Sequence, residues 1–155
     1  MAVSKWKTRD ATLADAANEA YSEFTALGEE MRAWAESLEE KFSTTDRYAR
    51  VTEAADTLEG LSEPSYPDWA SNAKVQISEL AKPPRKVSRA SRRDQACSIL
   101  DTCMEACNEW LDENDKPEKQ SVEMLALVGE ITQLRDDLEN LKDEAEAVEF
   151  PGMYG

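Results

Sequence analysis

Between residues 13 and 38 the chain reads LADAANEAYSEFTALGEEMRAWAESL. Its apolar members step by alternating fours and threes: Leu13, Ala17, Ala20, Phe24, Leu27, Met31, Trp34, Leu38. A second ladder near the other end steps the same way through Met124, Leu127, Ile131, Leu134, Leu138, Leu141, Ala145 and Val148. Such a step keeps one narrow seam along a helix, so each run predicts a long helix laid against another helix. Phe24, Met31 and Trp34 are bulky for a two-stranded seam and suit a bundle core. The Leu-rich second ladder, with Ile131, is the better candidate for a zipper between copies.

Working outward, the first helix is expected from Thr8 or Asp10 to Phe42. Ser43-Thr44-Thr45-Asp46 is capping chemistry and predicts a second helix, with Val51, Ala54, Ala55, Leu58 and Leu61 as its apolar stripe and its end near Gly60. Ser65 and Asp68 flank Pro67 as in a capping box, predicting a third helix over 66–81 through Trp69, Ala73, Ile77 and Leu80. Pro83-Pro84 ends it. Ser91 with Asp94 predicts the start of a fourth helix, about 91–113. Asp115 with Glu118 caps a fifth that runs to about Glu149 and stops at Phe150-Pro151-Gly152. The expected fold is all-α: a single domain over 1–155, an elongated antiparallel bundle of about five helices, with coiled-coil-like seams in the first and last. Residues 1–9 read as a flexible basic N-terminus, 82–93 as a basic linker and 150–155 as a C-terminal tail.

Composition agrees and narrows the function classes. A third of the 155 residues are charged, only 7% are aromatic and five are glycine, a balance that suits helices better than a sandwich. The net charge is −15, so the chain repels nucleic-acid phosphates and anionic membranes and favours basic partners. Exposed glutamates also serve solubility and helix propensity. Histidine is absent, which excludes Ser-His-Asp and Cys-His catalysis and His-ligated metal. Lys5, Lys7 and Arg9 are followed by no apolar stretch, so no signal peptide is read there, and no run approaches the length of a membrane span. Cys97, Cys103 and Cys107 are odd in number, clustered on one helix and without a CxxC knuckle. They are expected to be buried thiols in a reducing, cytoplasmic setting.

Charge is distributed unevenly. Lys82, Arg85, Lys86, Arg89, Arg92 and Arg93 fall within twelve residues that hold no acid. From Asp94 to the end there are seventeen acids against four bases, a net of −13. The basic stretch lacks the aromatic residues that stack on bases, so its expected partners are acidic helices of this chain or of a second copy. Ser88, three residues after Arg85, also resembles a basophilic kinase site. The acid-rich C-terminal half of the last helix opposes its own dipole and calls for an antiparallel neighbour's N-terminus or a basic partner.

A carboxylate pattern adds one more candidate. Glu36, Glu39 and Glu40 are followed by Glu53-Ala54-Ala55-Asp56, an ExxE…ExxD arrangement on consecutive helices. Over residues 29–61 this resembles the metal-site pattern of the MazG-like, all-α nucleotide pyrophosphohydrolases. The resemblance implies that these carboxylates hold Mg²⁺ and a nucleoside triphosphate. On the heptad set by Met31, Trp34 and Leu38, residues 36, 39 and 40 take positions facing away from the seam.

Three functions therefore stand at this point. The first is a non-enzymatic protein-binding module, of DNA-mimic or inhibitor type, with no cofactor and no metal. Its acidic helical surface, formed by Glu105, Glu109, Asp112, Glu113, Asp136, Asp137, Glu139, Asp143, Glu144 and Glu146, engages a partner with a basic surface. It is expected to bind no nucleic acid directly and no membrane. The second is a coiled-coil scaffold, adaptor or chaperone that self-associates, in the simplest case as a homodimer. The third is the pyrophosphohydrolase that the resemblance implies.

Overall fold

A computed structural model describes residues 5–151 of the chain. The two ladders form the long helices that their spacing predicts. Helix α1 covers Leu13–Phe42 and buries Leu13, Ala17, Ala20, Phe24, Leu27 and Met31 completely. Thr12 caps it, its hydroxyl oxygen accepting from the Asp15 N–H at 3.1 Å. Helix α2 spans Asp46–Glu59, capped by Thr45, whose oxygen accepts from the Tyr48 N–H. Its stripe Val51, Ala54, Ala55 and Leu58 is buried, as its spacing predicts. α2 folds back antiparallel on the second half of α1. Gly28 makes that approach possible, because a Cβ there would lie 3.2 Å from the Leu58 Cβ. Arg32 ties the pair by ion pairs to Asp56 and, at 2.8 Å, to Glu59.

The expected third helix over 66–81 is absent. A 3-10 turn at Asp68–Ser71 leads into a strand, β2, at Lys74–Leu80. β2 pairs antiparallel with β1, Trp6–Thr12, in the register Trp6↔Leu80 through Thr12↔Lys74. Residues 5–9, expected to be a flexible terminus, therefore begin a two-stranded ribbon, and the first helix starts at Leu13 rather than at Thr8 or Asp10. The α-helices number four, not five, among the described residues. The physical reason lies in KVQISEL itself. It alternates, Val75 and Ile77 point inward and are buried, and Lys74, Gln76 and Ser78 are exposed, so it carries the strand period of two. Ala73, Ile77 and Leu80 fit a helical spacing equally well.

Helix α3, Arg89–Asn114, is capped three residues earlier than predicted: Ser88, not Ser91, is the cap, its oxygen accepting from the Ser91 N–H at 3.1 Å. The last five residues of the expected linker 82–93 are thus its first turns. α3 runs antiparallel to α1 and buries Ala96, Leu100, Cys103 and Cys107. Trp110, beside this stripe, meets Trp69 at 5.9 Å between ring centroids. The chain then turns through a 3-10 segment, Pro117–Lys119, into helix α4, Val122–Glu146. Ser121 is its cap in place of the expected Asp115. From Ile131 onward every member of the second ladder is buried, and the helix packs antiparallel on α3. The seam is therefore core for the bundle over most of its length. Residues 152–155 of the expected tail lie outside the described residues, and among the described residues no helix is long and apolar enough to cross a membrane.

The three cysteines are free thiols inside this core. Burial pushes Cys97 and Cys103 up to about 12 and Cys107 up to about 11, which removes the nucleophilic thiolate at ordinary pH. Folded protein at pH 8 is expected to leave all three unmodified by a disulfide-exchange reagent over an hour, with three thiols titrating at once in denaturant. Rapid labelling of native protein would contradict this placement.

Candidate acidic interface

Arg89, Arg92 and Arg93 of the basic stretch are engaged internally, and this sets the electrostatics of everything else. Arg92 pairs with Glu23 and, at 2.7 Å, with Glu30, both on α1. Arg89 reaches Glu30 at 3.3 Å and lies over the Trp34 ring at 5.4 Å. These contacts, the Arg92 hydrogen bond first, hold the Glu30 carboxyl below the usual carboxylate range. Arg93 has a different target. Its Nη1 donates to the carbonyl oxygens of Ala145, Glu146 and Val148 at 3.2, 3.3 and 2.7 Å, and its guanidinium sits over Phe150 at 5.5 Å. These are carbonyls at the end of α4, where a helix presents unpaired acceptors and a partial negative charge. The antiparallel neighbour that the acidic C-terminal half of this helix requires is the first turn of α3.

With those cations engaged, the acids of α3 and α4 face solvent with little to balance them. Of the ten predicted residues, nine are exposed and Asp137 is partly buried. Glu105, Glu109 and Asp112 stand at i, i+4 and i+7, one stripe along the outer face of α3, with Glu113 beside it. On α4 the acids fall in three heptad-spaced pairs, 139 with 146, 136 with 143 and 137 with 144, that fan across its outer half.

The structure brings only some of them together. Glu105, Glu139 and Asp143 line a groove of about 540 Å³ between α3 and α4, shared with Asp101, Asn108, Arg135 and Lys142. Lys142 bridges the groove to Asp101 at 2.6 Å and reaches Glu146 at 3.6 Å. Arg135 bonds Asn108 and its neighbour Asp136. Asp137 and Glu144 line a separate cleft on the opposite flank of α4, against Ser62, Glu63, Pro64 and Ser65. Glu109, Asp112 and Glu113 belong to neither cleft. Asp101 and Lys142 were not singled out in the sequence, although an acid and a base facing each other across two antiparallel helices follow from their register. Seven of the ten acids (Glu105, Glu109, Asp112, Glu113, Glu139, Asp143 and Glu144) have neither an ion pair nor a side-chain hydrogen bond among the described residues, and Asp137 has no ion pair but accepts from the Gln133 amide at 2.8 Å.

The other candidate site is dispersed. Glu36, Glu39, Glu40, Glu53 and Asp56 are all exposed, and Asp56 is engaged by Arg32. Among the described residues no group of three or more His, Cys, Asp or Glu side chains is arranged to hold a metal ion. Compared with protein-family models, with curated proteins and with solved structures, the chain has no match in any of the three.

Proposed function

We propose that this protein is a non-enzymatic binding module whose acidic faces on α3 and α4 engage a protein with a basic surface, of the kind that binds nucleic acid. One observation carries the reading. Arginines in the first turns of α3 are drawn inward to α1 and to the end of α4, while seven carboxylates on the outer faces of the same two helices keep no counter-charge. Rows of unpaired carboxylates on rigid helices give a fixed negative potential, which steers a basic partner and matches the binding face of a protein made for phosphates.

The test is capture from the native host at two ionic strengths, followed by competition. A five-fold neutralised variant, Glu105→Gln, Glu109→Gln, Asp112→Asn, Glu139→Gln and Asp143→Asn, serves as the control; every one of these positions is exposed, so the fold is expected to be kept. The expected partner is retained by the natural chain, is lost by the variant, and is released between about 50 mM and 500 mM salt as screening shortens to a few ångströms. It is also expected to lose its bound DNA or RNA as this protein is added. A partner held equally by the variant, or with affinity flat across that salt range, would overturn the reading.

A further inference from the structure

Two apolar surfaces among the described residues differ in shape and in charge. The first is the beginning of α4. The contacts Lys142 to Asp101 and Arg135 to Asn108 set the register of α4 on α3, and in that register Gly129 is level with Asn114, where α3 ends. Residues 122–128 therefore project beyond their partner helix. Val122 is 82% exposed and Leu125 52%. Ala126 and Gly129 complete the same outward stripe, and a Cβ on Gly129 would meet nothing within 4 Å. Met124 and Leu127, the first two members of the second ladder, are only partly covered. Glu123 and Glu130 flank the stripe without ion pairs among the described residues. Of the loop lysines before Val122, Lys119 donates to the Glu113 carbonyl.

The second surface is a groove of about 610 Å³ at the open end of the ribbon. Ala96 and Ile99 of α3 floor it, the cross-strand pair Trp6 and Leu80 forms one wall, and Pro83 and Val87 form the other. Trp6 is 51% exposed and Val87 42%. Carboxylates on its rim are already ion-paired: Glu19 with Arg9, Glu79 with Arg9 and Lys7, Glu23 with Arg92, Asp94 with Arg93. Lys82, Arg85 and Lys86, which flank Pro83 and Val87, are exposed and have no ion pair among the described residues. The uncompensated charge beside this groove is positive.

We propose that the two surfaces are halves of one interface, in which the projecting end of α4 from one copy seats in the ribbon groove of the next. Val122 and Leu125 supply a helical ridge for a concave apolar site, and Glu123 and Glu130 meet Lys82, Arg85 and Lys86 at its edge. A single chain cannot satisfy both halves. Fifteen residues of α3 separate Ile99 from Asn114, about 23 Å at 1.5 Å per residue, and α4 starts at the far end. The contact is therefore heterologous, head to tail, and leaves one ridge and one groove open at the ends of any short series. None of the ten acids of the acidic interface takes part, so this assembly stands or falls separately from the proposed function.

Because the interface has two unlike halves, it has a test that a symmetric dimer fails. Leu125→Asp breaks the ridge, and the triple change Arg85→Glu, Lys86→Glu, Val87→Asp breaks the groove; all four side chains are exposed, and circular dichroism checks that both variants fold. Sedimentation velocity of the natural chain from about 1 to 100 μM, a range suited to a contact of modest area, is expected to give a mass that rises with concentration. Each variant alone is expected to stay monomeric at every concentration. An equimolar mixture of the two is expected to form a species of two chains and no larger one, since one variant keeps its groove and the other its ridge. A natural chain that remains monomeric overturns the proposal, as does assembly surviving in either variant alone, or a mixture that stays monomeric.

Discussion

Phe24→Ala is expected to be among the most damaging substitutions in this protein, lowering the unfolding free energy by about 3–5 kcal/mol. The side chain is fully buried at the middle of α1 and heads the largest buried side chains of the core. Its removal loses the transfer energy of an aromatic ring and leaves a cavity that the surrounding helices cannot close, because Gly28 already holds α2 in contact with α1. Stabilities of domains this size run from about 5 to 15 kcal/mol, so a large part of the total would go. The control is Leu38→Ala on the same ladder. Leu38 is only partly buried, since α3 begins near Trp34 and leaves α2 as the neighbouring helix beyond it. Less than half the Phe24 loss is expected there. Urea denaturation followed at 222 nm measures both, and equal losses would mean that the ladder is covered uniformly, contrary to the fold.

Arg93→Ala is expected to cost about 2–4 kcal/mol, far more than a surface arginine. The side chain is only 14% exposed. It closes three carbonyl acceptors at the end of α4 and stacks on Phe150. Truncation leaves the part-buried Val148 oxygen and the Glu146 oxygen without this donor, while the Ala145 oxygen keeps the Val148 N–H, and it removes the positive charge from the negative end of the helix dipole. The melting temperature is expected to fall by about 5–12 °C, and amide exchange in residues 143–148 is expected to accelerate more than elsewhere. Arg93→Lys should recover less than half of the loss, because one ammonium cannot reproduce a planar fork that also stacks on a ring. Arg135→Ala, at the rim of the acidic groove, is expected to stay within about 1 kcal/mol of the natural chain. Unchanged exchange at the end of α4 in Arg93→Ala would sink this account of how that helix is terminated.

Long helices were legible because their signal is local and repeated. Eight consecutive ladder positions in α1 agree on one face, and Thr12, Thr45, Ser88 and Ser121 supply the capping hydroxyls. Where several serines or acids compete to cap, as at Ser88 against Ser91 or Ser121 against Asp115, spacing alone did not choose. Burial of the cysteines was readable from their place on an apolar stripe, and exposure of the acids from their place off one.

The ribbon was illegible for a definite reason. β1 reads WKTRDAT, with only Ala11 as an inward apolar residue and Arg9 lying along the covered face opposite Ile77. Its partner lies more than sixty residues away in sequence. A strand of this kind has no stability by itself, so its pattern records the partner and not its own preference. The groove at its end was invisible for the same reason.

By itself the sequence determined the helical class, most of the faces that go inside, and a net −13 from Asp94 to the end. All three follow from composition and short-range periodicity. Only the tertiary structure decided which charges are left over. Arg89, Arg92 and Arg93 are adjacent in sequence to the exposed Lys82, Arg85 and Lys86, yet antiparallel packing carries the first three onto α1 and the end of α4 and leaves the other three in solvent. Pairing of charges depends on distances of a few ångströms between helices, which no local pattern records.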